Sequence, residues 1–416
     1  MKSKIPNIVI AILLFSFNSF PQLSIYNSAS FGYFQNPLYN YQNLSDQLKQ
    51  TYTELSYLKN FTASRLNLNY IGGLVIFNRF TERNYYEHNF TAGYNIFFHK
   101  AVTGQESEEN AIKDSANNHL NLLLRIGGRH DKESFKDFNN LGSGFTASFK
   151  FLLNDDFYSD ITNAFEYRDY SSITTLSNIN DVLKLQFGNK ENKIFNYGFG
   201  LSGGFKYYLE SVYDTSRFET VRSFNIKSSG KGKTGANIKV PSEKEILISP
   251  YSNGTAQFVA DVFAKTYWKT NSVQLRLLYR YNPHTLVRYL AQYANTTFLT
   301  EDIYNDFFAY EGFEIHSRLI QKIFYNIEIR LDASFQQKKF GAPALDLIGT
   351  QISDQRLDFR TFVESYISRY FNLSDNFGLG VAISSGFVRN QSNDAYNDFS
   401  SFYISFSLGL GFYTEF

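Results

Sequence analysis

The chain has 416 residues, and 40 lysines and arginines stand against 39 aspartates and glutamates, which gives a net charge of +1. This balance leaves no basic excess for nucleic-acid phosphates and excludes a nucleic-acid partner. The absence of cysteine excludes disulfides, thiolate metal sites and thiol catalysis. Aromatic residues make up 18% of the chain, yet the mean hydropathy is −0.31. Apolar and polar residues are therefore finely mixed rather than segregated.

The N-terminal segment has the pattern of an export signal. Lys2 and Lys4 precede an apolar run over residues 8–17, which turns small and polar around Asn18. A run of this length behind positive charge is typical of a signal peptide and is too short to span a bilayer. We predict a signal peptide over residues 1–22, with a buried N-terminal helix as the alternative. No later stretch is apolar enough for a membrane helix, so any membrane crossing has to use strands.

Apolar and polar residues alternate one by one along most of the remaining chain. This period of two predicts strands that have one apolar and one polar face. The strands are longer than the 5–6 residues that are usual in soluble sandwiches, and their apolar faces are almost free of charge, which favours contact with lipid. The alternation is clearest in residues 120–126, 145–153, 195–209, 323–335 and 401–416. A weaker strand is predicted over residues 24–34.

The predicted connections differ in length in a regular way. The short turns lie near residues 60–64, 154–156, 188–192, 269–271, 319–322 and 371–375. The long links include residues 131–142, 211–253, 283–302 and 337–354. Short periplasmic turns and long extracellular loops are typical of outer-membrane barrels. We therefore predict an all-β fold, a single transmembrane antiparallel up-and-down β-barrel of about 16 strands over residues 23–416. Counting the strands places the long segment 100–117 on the periplasmic side, where short turns are expected. Either this segment is an exception, or one strand is miscounted and the barrel has 14 strands.

The last strand resembles the C-terminal assembly signal of Gram-negative outer-membrane β-barrel proteins of the porin-like type. Its apolar residues alternate and end on an aromatic, with Thr414 as a departure from the usual large apolar residue. The matching residues are Phe406, Leu408, Leu410, Phe412 and Phe416. The resemblance implies insertion by the barrel-assembly machinery, an integral outer-membrane location, and contact with lipid and lipopolysaccharide. It identifies no subfamily, and the sequence indicates no oligomeric state.

Charged residues on the polar faces are the candidates for a pore lining. Counted from the predicted turns, Glu314, Glu328 and Glu364 lie near mid-height, and neutralising them should shift the ion preference. The full predicted set is Arg125, Lys150, Arg276, Glu314, His316, Glu328, Arg330 and Glu364. With sixteen strands, a basic wall on the fifth and sixth strands would face an acidic wall on the thirteenth and fourteenth. In the alternative, the charges pair locally as a solvated network; its members are Glu314, His316, Arg318, Glu328, Arg330, Asp332, Asp358 and Arg360.

Three functional hypotheses follow. The first is porin-like passive passage of small hydrophilic solutes through a charged lumen, without cofactor or metal. The second is a closed structural barrel of the cell surface, plugged by the ion network or by residues 211–253, which form a long extracellular or lumen-folded loop. The third is an outer-membrane hydrolase using His316. The sequence contains no H-E-x-x-H and no G-x-S-x-G. The GKT at 232–234 lacks the phosphate-loop glycine, because Lys227 stands there. We therefore predict that the protein is not an enzyme.

Overall fold

The strands of the computed structural model account for most of the chain. The structure describes residues 22–37, 43–61, 63–98, 118–133, 136, 139–154, 156–189, 194–210, 253–283, 307–348, 350–353 and 355–415. Residues 1–21 of the predicted signal peptide, most of loop 211–253 and Phe416 lie outside the described residues, whereas Gln22 is the first residue of β1. Among those described, no helix is long and apolar enough to cross a membrane.

The described residues form sixteen long strands of one sheet, with a small hairpin between the thirteenth and fourteenth. The sixteen strands are β1 (Gln22–Gln35), β2 (Ser45–Asn60), β3 (Ser64–Phe77), β4 (Tyr85–Phe97), β5 (His119–Asp131), β6 (Asn140–Leu152), β7 (Phe157–Tyr170), β8 (Asn178–Asn189), β9 (Phe195–Tyr208), β10 (Gly254–Trp268), β11 (Asn271–Tyr281), β12 (Tyr310–Lys322), β13 (Ile327–Phe340), β16 (Leu357–Asn372), β17 (Phe377–Ser392) and β18 (Phe399–Glu415). The hairpin consists of β14 (Ala344–Leu345) and β15 (Gln351–Ser353). Short 3-10 turns occupy Thr81–Arg83, Thr174–Leu176, Phe307–Ala309 and Phe324–Asn326.

The sheet closes on itself. Each long strand pairs antiparallel with its neighbour along the chain, and β18 pairs with both β17 and β1. The closing pair runs in unbroken register from Gln22 opposite Glu415 to Gln35 opposite Phe402. Closure leaves no unpaired strand edge. The predicted antiparallel up-and-down barrel is confirmed with sixteen strands, and the weak first strand of the sequence is β1.

The two ends of the barrel differ in their connections. At one end, which we call the turn end, six links are short; at the opposite end, the loop end, the long loops depart. The short links span residues 61–63, 153–156, 190–194, 269–270, 323–326 and 373–376. The link between β4 and β5 also leaves from the turn end, because Phe97 lies opposite His119. The long segment 100–117 is therefore a true exception rather than a sign of fourteen strands, and its residues lie outside the described part.

One predicted turn was wrong. The sequence analysis placed it at residues 319–322, whereas β12 continues to Lys322 and the chain turns over 323–326. Asn326 has a φ of 55°, in the left-handed region that asparagine tolerates better than most residues. The apolar alternation continues through Ile323 into Ile327, so the period-two pattern did not mark the break.

The outward face of the barrel is apolar. On β18, Phe406, Leu408 and Leu410 are 49%, 44% and 56% exposed on the outer surface. Phe412 points the same way and packs against Phe377, with ring centroids 5.0 Å apart. The alternate residues of β18, mostly serine and glycine, face the lumen. The alternation in the sequence therefore corresponds to an apolar outer belt and a polar interior.

Among the described residues, the buried apolar side chains do not form a central core. Some of them form three small clusters, and each cluster lies where its strands approach the loop end. The clusters are Leu48 with Val75 and Phe77, Val388 with Phe399, and Ala309 with Tyr310 and Phe340. Barrels of sixteen strands are wide enough to leave an aqueous channel unless loops fill it. Within the described residues, the middle of the lumen is lined by polar and charged side chains rather than by an apolar core.

Candidate functional site: the charged lumen

Glu314 on β12 is the most enclosed acid of the predicted pore lining. Its side chain is 1% exposed, and it accepts hydrogen bonds from Arg280 of β11, the Tyr310 hydroxyl at 2.8 Å and Gln336 at 3.0 Å. His316 Nε2 lies 2.9 Å from the other carboxylate oxygen. Both oxygens are therefore satisfied, and the charge is compensated by the guanidinium.

The short segment Phe307–Ala309 explains this burial. It lies across the lumen face of β10 and β11, where the side chains of Gln257 and Asn282 donate to the carbonyls of Phe307 and Phe308. The Arg280 guanidinium lies 4.5 Å from the Phe307 ring centroid, which encloses the pair with Glu314 from the lumen side. The root of the long β11–β12 loop thus covers part of the wall near the loop end.

A second ion network lies on β12, β13 and β16. Asp332 binds Arg318 at 2.5 Å and Arg330 at 3.0 Å, and Arg330 also lies 3.8 Å from Glu364. The hydroxyl of Tyr403 donates to Glu364. The strand register creates this network, because Asp332 stands directly opposite both Arg318 and Glu364. Arg330 therefore bridges two carboxylates on neighbouring strands.

The predicted position of Glu328 at mid-height was wrong. Glu328 is the second residue of β13 and lies at the turn end, where its nearest cation is Lys322 at 3.9 Å. The error follows from the displaced turn, which moved the start of β13 by several residues. At the level of Glu364 the register places Asp332 instead.

A third ion pair joins β10 and β11. Arg276 binds Asp261 through its Nη2 atom at 3.0 Å and its Nε atom at 3.1 Å, and the acid side chain is 3% exposed. Each of the three predicted glutamates lies beside a cation: Glu314 beside Arg280, Glu328 beside Lys322 and Glu364 beside Arg330. Within the set named for the local-pairing alternative, Glu314 contacts His316, and Asp332 contacts Arg318 and Arg330, whereas Glu328 pairs with a residue outside that set.

The opposite wall carries cations of another kind. Arg125 on β5 faces the lumen between Thr91 and Gly144, is exposed, and forms no ion pair with any described residue. Lys184 on β8 is half-buried and donates to Gln186 at 2.8 Å; it has no described acid within 4 Å, although Asp261 and Asp160 are near enough to interact with its charge. We call Arg125 and Lys184 the isolated cations.

Lys150 differs from these two residues. Its ammonium lies 4.3 Å from the Tyr158 ring centroid, and the register places it opposite Asp160. Asp160 accepts hydrogen bonds from Ser148 at 2.8 Å and Thr162 at 3.0 Å. Strands β5 and β6 lie eight positions around the barrel from β13 and β16. The predicted opposition of the two walls therefore exists in the strand order, but the wall opposite the basic one is ion-paired rather than acidic.

The sequence analysis missed one isolated acid. Glu54 on β2 faces the lumen, accepts from Asn69 and Ser56 at 3.2 Å each, and has no described cation partner. The signal was weak because the outward face of β2 carries Thr51 and Thr53, so the alternation there does not separate an apolar from a polar face.

Solvent reaches the charged lumen. The side chains of Arg276, His316 and Arg318 are 37%, 40% and 53% exposed although they point into the barrel. His316 hydrogen-bonds Glu314, and within the described residues no serine or threonine hydroxyl completes a nucleophile–base pair with it. The described residues also contain no group of three histidine, aspartate or glutamate side chains arranged for a metal.

A closed barrel with an apolar outer belt and a charged, solvated interior satisfies its backbone hydrogen bonds within a bilayer and keeps its polar side chains in water. These features are those of a β-barrel that spans a membrane.

No protein-family model matches this chain, and no curated protein sequence matches it. Several solved structures resemble it distantly. Pseudomonas aeruginosa OpdL is 9% identical with a TM-score of 0.42, covering 96% of this chain and 99% of OpdL. The outer membrane protein OprD from Pseudomonas aeruginosa is 9% identical with a TM-score of 0.42, covering 95% of this chain and 94% of OprD. Acinetobacter baumannii OccAB1 is 9% identical with a TM-score of 0.42, covering 95% of this chain and 96% of OccAB1. Likenesses of this size carry no functional information about this chain.

Proposed function

We propose that the barrel is a porin-like channel for the passive passage of small hydrophilic solutes. The observation that carries the proposal is the exposure of charged side chains inside the barrel, with Arg125, Arg276 and His316 all reached by solvent. A lumen lined in this way offers hydrated solutes a polar path across the membrane. Insertion by the barrel-assembly machinery and contact of the outer belt with lipid and lipopolysaccharide belong to the same proposal.

The charge preference of the channel follows from the isolated residues. An ion pair presents a dipole whose field falls off within a short distance, whereas an isolated charge presents its full field to a passing ion. Arg125 and Lys184 are two such cations, and Glu54 is one such acid. We therefore propose that the isolated charges, rather than the ion pairs, set the ion preference of the channel. Removing one member of an ion pair changes the preference as well, because it leaves the other member isolated.

A plugged structural barrel is the second candidate, and one observation favours it. Phe307–Ala309 already covers part of the lumen face near the loop end, beside the buried pair of Arg280 and Glu314. A loop that continues across the lumen from this position would close the channel. Deletion of residues 217–249 tests the other long loop, since a barrel plugged by it would begin to conduct and an open one would change little.

Single-channel recording distinguishes the two candidates. The refolded protein, shown to be a folded barrel by its heat-dependent gel mobility, is added to a planar lipid bilayer. A water-filled channel predicts steady openings whose current rises linearly with voltage. A folded barrel that gives no current in either orientation would overturn the channel and favour the plugged barrel.

A further inference from the structure

A patch of four glycines lies on the lumen face near the turn end. Gly378 and Gly380 of β17 stand opposite Gly411 and Gly409 of β18. Because a glycine has no side chain, this part of the wall is a bare backbone surface onto which neighbouring side chains can lie.

Three tyrosines cover this surface. Tyr370 reaches over Gly378 from β16, Tyr26 reaches over Gly409 from β1, and Tyr413 lies over Gly411. A methyl group on Gly378 or Gly409 would overlap the tyrosine hydroxyl above it. We call Tyr26, Tyr370 and Tyr413 the tyrosine patch. Because the glycines have no side chains, the tyrosine rings can lie directly against the backbone of the wall.

The patch presents aromatic surface to solvent. Tyr370 and Tyr413 are each 42% exposed. Both rings line one cleft together with Asn372, Ser374 and Asp375, which belong to the end of β16 and the following turn. This is an unusual exposure for tyrosines that face inward, and it leaves ring surface available to a solute.

Two carboxylates without a cation partner border the patch. Asp375 is exposed in the cleft beside Tyr370 and Tyr413, and no described residue forms an ion pair with it. On the other side, Glu54 stands opposite Tyr26 in the register of β1 and β2 and accepts hydrogen bonds only from neutral groups. Aromatic faces between two uncompensated negative charges create a local potential that attracts a cation.

The same wall already holds one cation in this way. The Arg330 guanidinium lies 4.9 Å from the ring centroid of Tyr366, within the distance of a cation–π contact. Tyr366 is on β16, four residues from Tyr370 and on the same face, with Ser368 between them. One lumen tyrosine of β16 therefore already binds a protein cation, and the ring of the other, Tyr370, is exposed.

We propose that the cleft at the tyrosine patch binds an organic ammonium ion. Its charge would lie over the rings of Tyr370 and Tyr413, with Asp375 compensating it in the cleft and Glu54 adding a longer-range attraction from beside Tyr26. The site concerns the solute class of the proposed channel, but binding does not require that the barrel conduct. A silent barrel could therefore still bind, and a conducting barrel could fail to bind.

The test uses choline and the full-length protein folded in detergent micelles, with binding followed by saturation-transfer NMR. We expect saturable binding of choline, with affinity reduced roughly tenfold in Asp375→Asn and in Tyr413→Leu. Tyr413→Phe keeps the ring and should keep most of the affinity. Asp375→Asn changes an exposed turn residue, so the charge dependence can be read even if a tyrosine variant folds poorly.

Tyr52→Leu is the matched control. Tyr52 also faces the lumen and lies over a glycine, Gly73, but it does not line the cleft. Its removal should leave choline affinity unchanged. Maltotriose is the second probe, because a neutral saccharide would use the rings and hydroxyls without needing the charge of Asp375.

Three results would overturn the proposal. These are no saturable choline binding to the wild-type protein, equal affinity in Asp375→Asn and the wild type, and binding of maltotriose in preference to choline. The last result would assign the patch to a saccharide.

Discussion

The two halves of the lumen wall hold their charges differently. From β10 to β16 the wall carries many charges. Each glutamate of the predicted pore lining there has a cation on the adjacent strand, as Glu314 has Arg280. From β2 to β8 several charges stand alone among neutral donors and acceptors, as Arg125 and Glu54 do. The ion pairs of the first wall mostly join neighbouring strands, whereas those of the second wall, Arg129 with Asp131 and Arg168 with Glu166, each lie within one strand.

The comparison separates structural charges from functional ones. A charge that is buried and paired stabilises its own neighbourhood and contributes little field at a distance. A charge that is hydrogen-bonded only to neutral groups keeps its field, which is available to solutes. Abundance of charge is therefore a poor guide to the residues that set the channel's preference.

Glu314→Gln should have the largest effect on stability. The substitution leaves the Arg280 charge enclosed near Phe307 without a carboxylate, and breaking a buried pair by removing one partner costs about 3–5 kcal/mol. The measurement is the urea midpoint of unfolding in micelles, followed by the gel mobility of the folded barrel. A midpoint equal to that of the wild type would show that this pair is not structural.

Gly378→Ala should have an intermediate effect. The added methyl group overlaps the Tyr370 hydroxyl, and overpacking of this kind costs about 1–3 kcal/mol. Gly142→Ala is the control, because a methyl group there meets only ordinary contacts at 3.7 Å or more. The same unfolding assay compares the two variants. Equal stabilities would mean that Tyr370 moves aside without loss and that the tyrosine patch is not held by its glycines.

Glu328→Gln should have the smallest effect on stability. Its partner Lys322 is 3.9 Å away and 52% exposed, and exposed pairs contribute at most about 1 kcal/mol. The unfolding midpoint should therefore stay within that range of the wild type. A loss as large as that of Glu314→Gln would contradict the distinction between buried and exposed pairs.

The sequence predicted the architecture better than the site. Alternation along β18 and the lengths of the links were sufficient for the closed sixteen-strand barrel and for which residues face inward, because each depends on one strand at a time. The partners of Asp332 depend on the register of three strands, which no single strand encodes. The predicted height of Glu328 in the barrel was wrong because the apolar alternation continues through the turn at Ile323. Glu54 was missed because β2 has polar residues on both faces.

The most direct test of the account is the zero-current potential across a planar bilayer in a potassium chloride gradient. Three proteins are compared: the wild type, the variant Arg125→Gln with Lys184→Gln, and the variant Arg276→Gln with Asp261→Asn. Relative to the wild type, the account predicts a clear shift toward cations when the isolated cations are removed and a much smaller shift when a whole ion pair is removed. An equal shift in both variants, or none in the first, would contradict the claim that isolated charges set the preference.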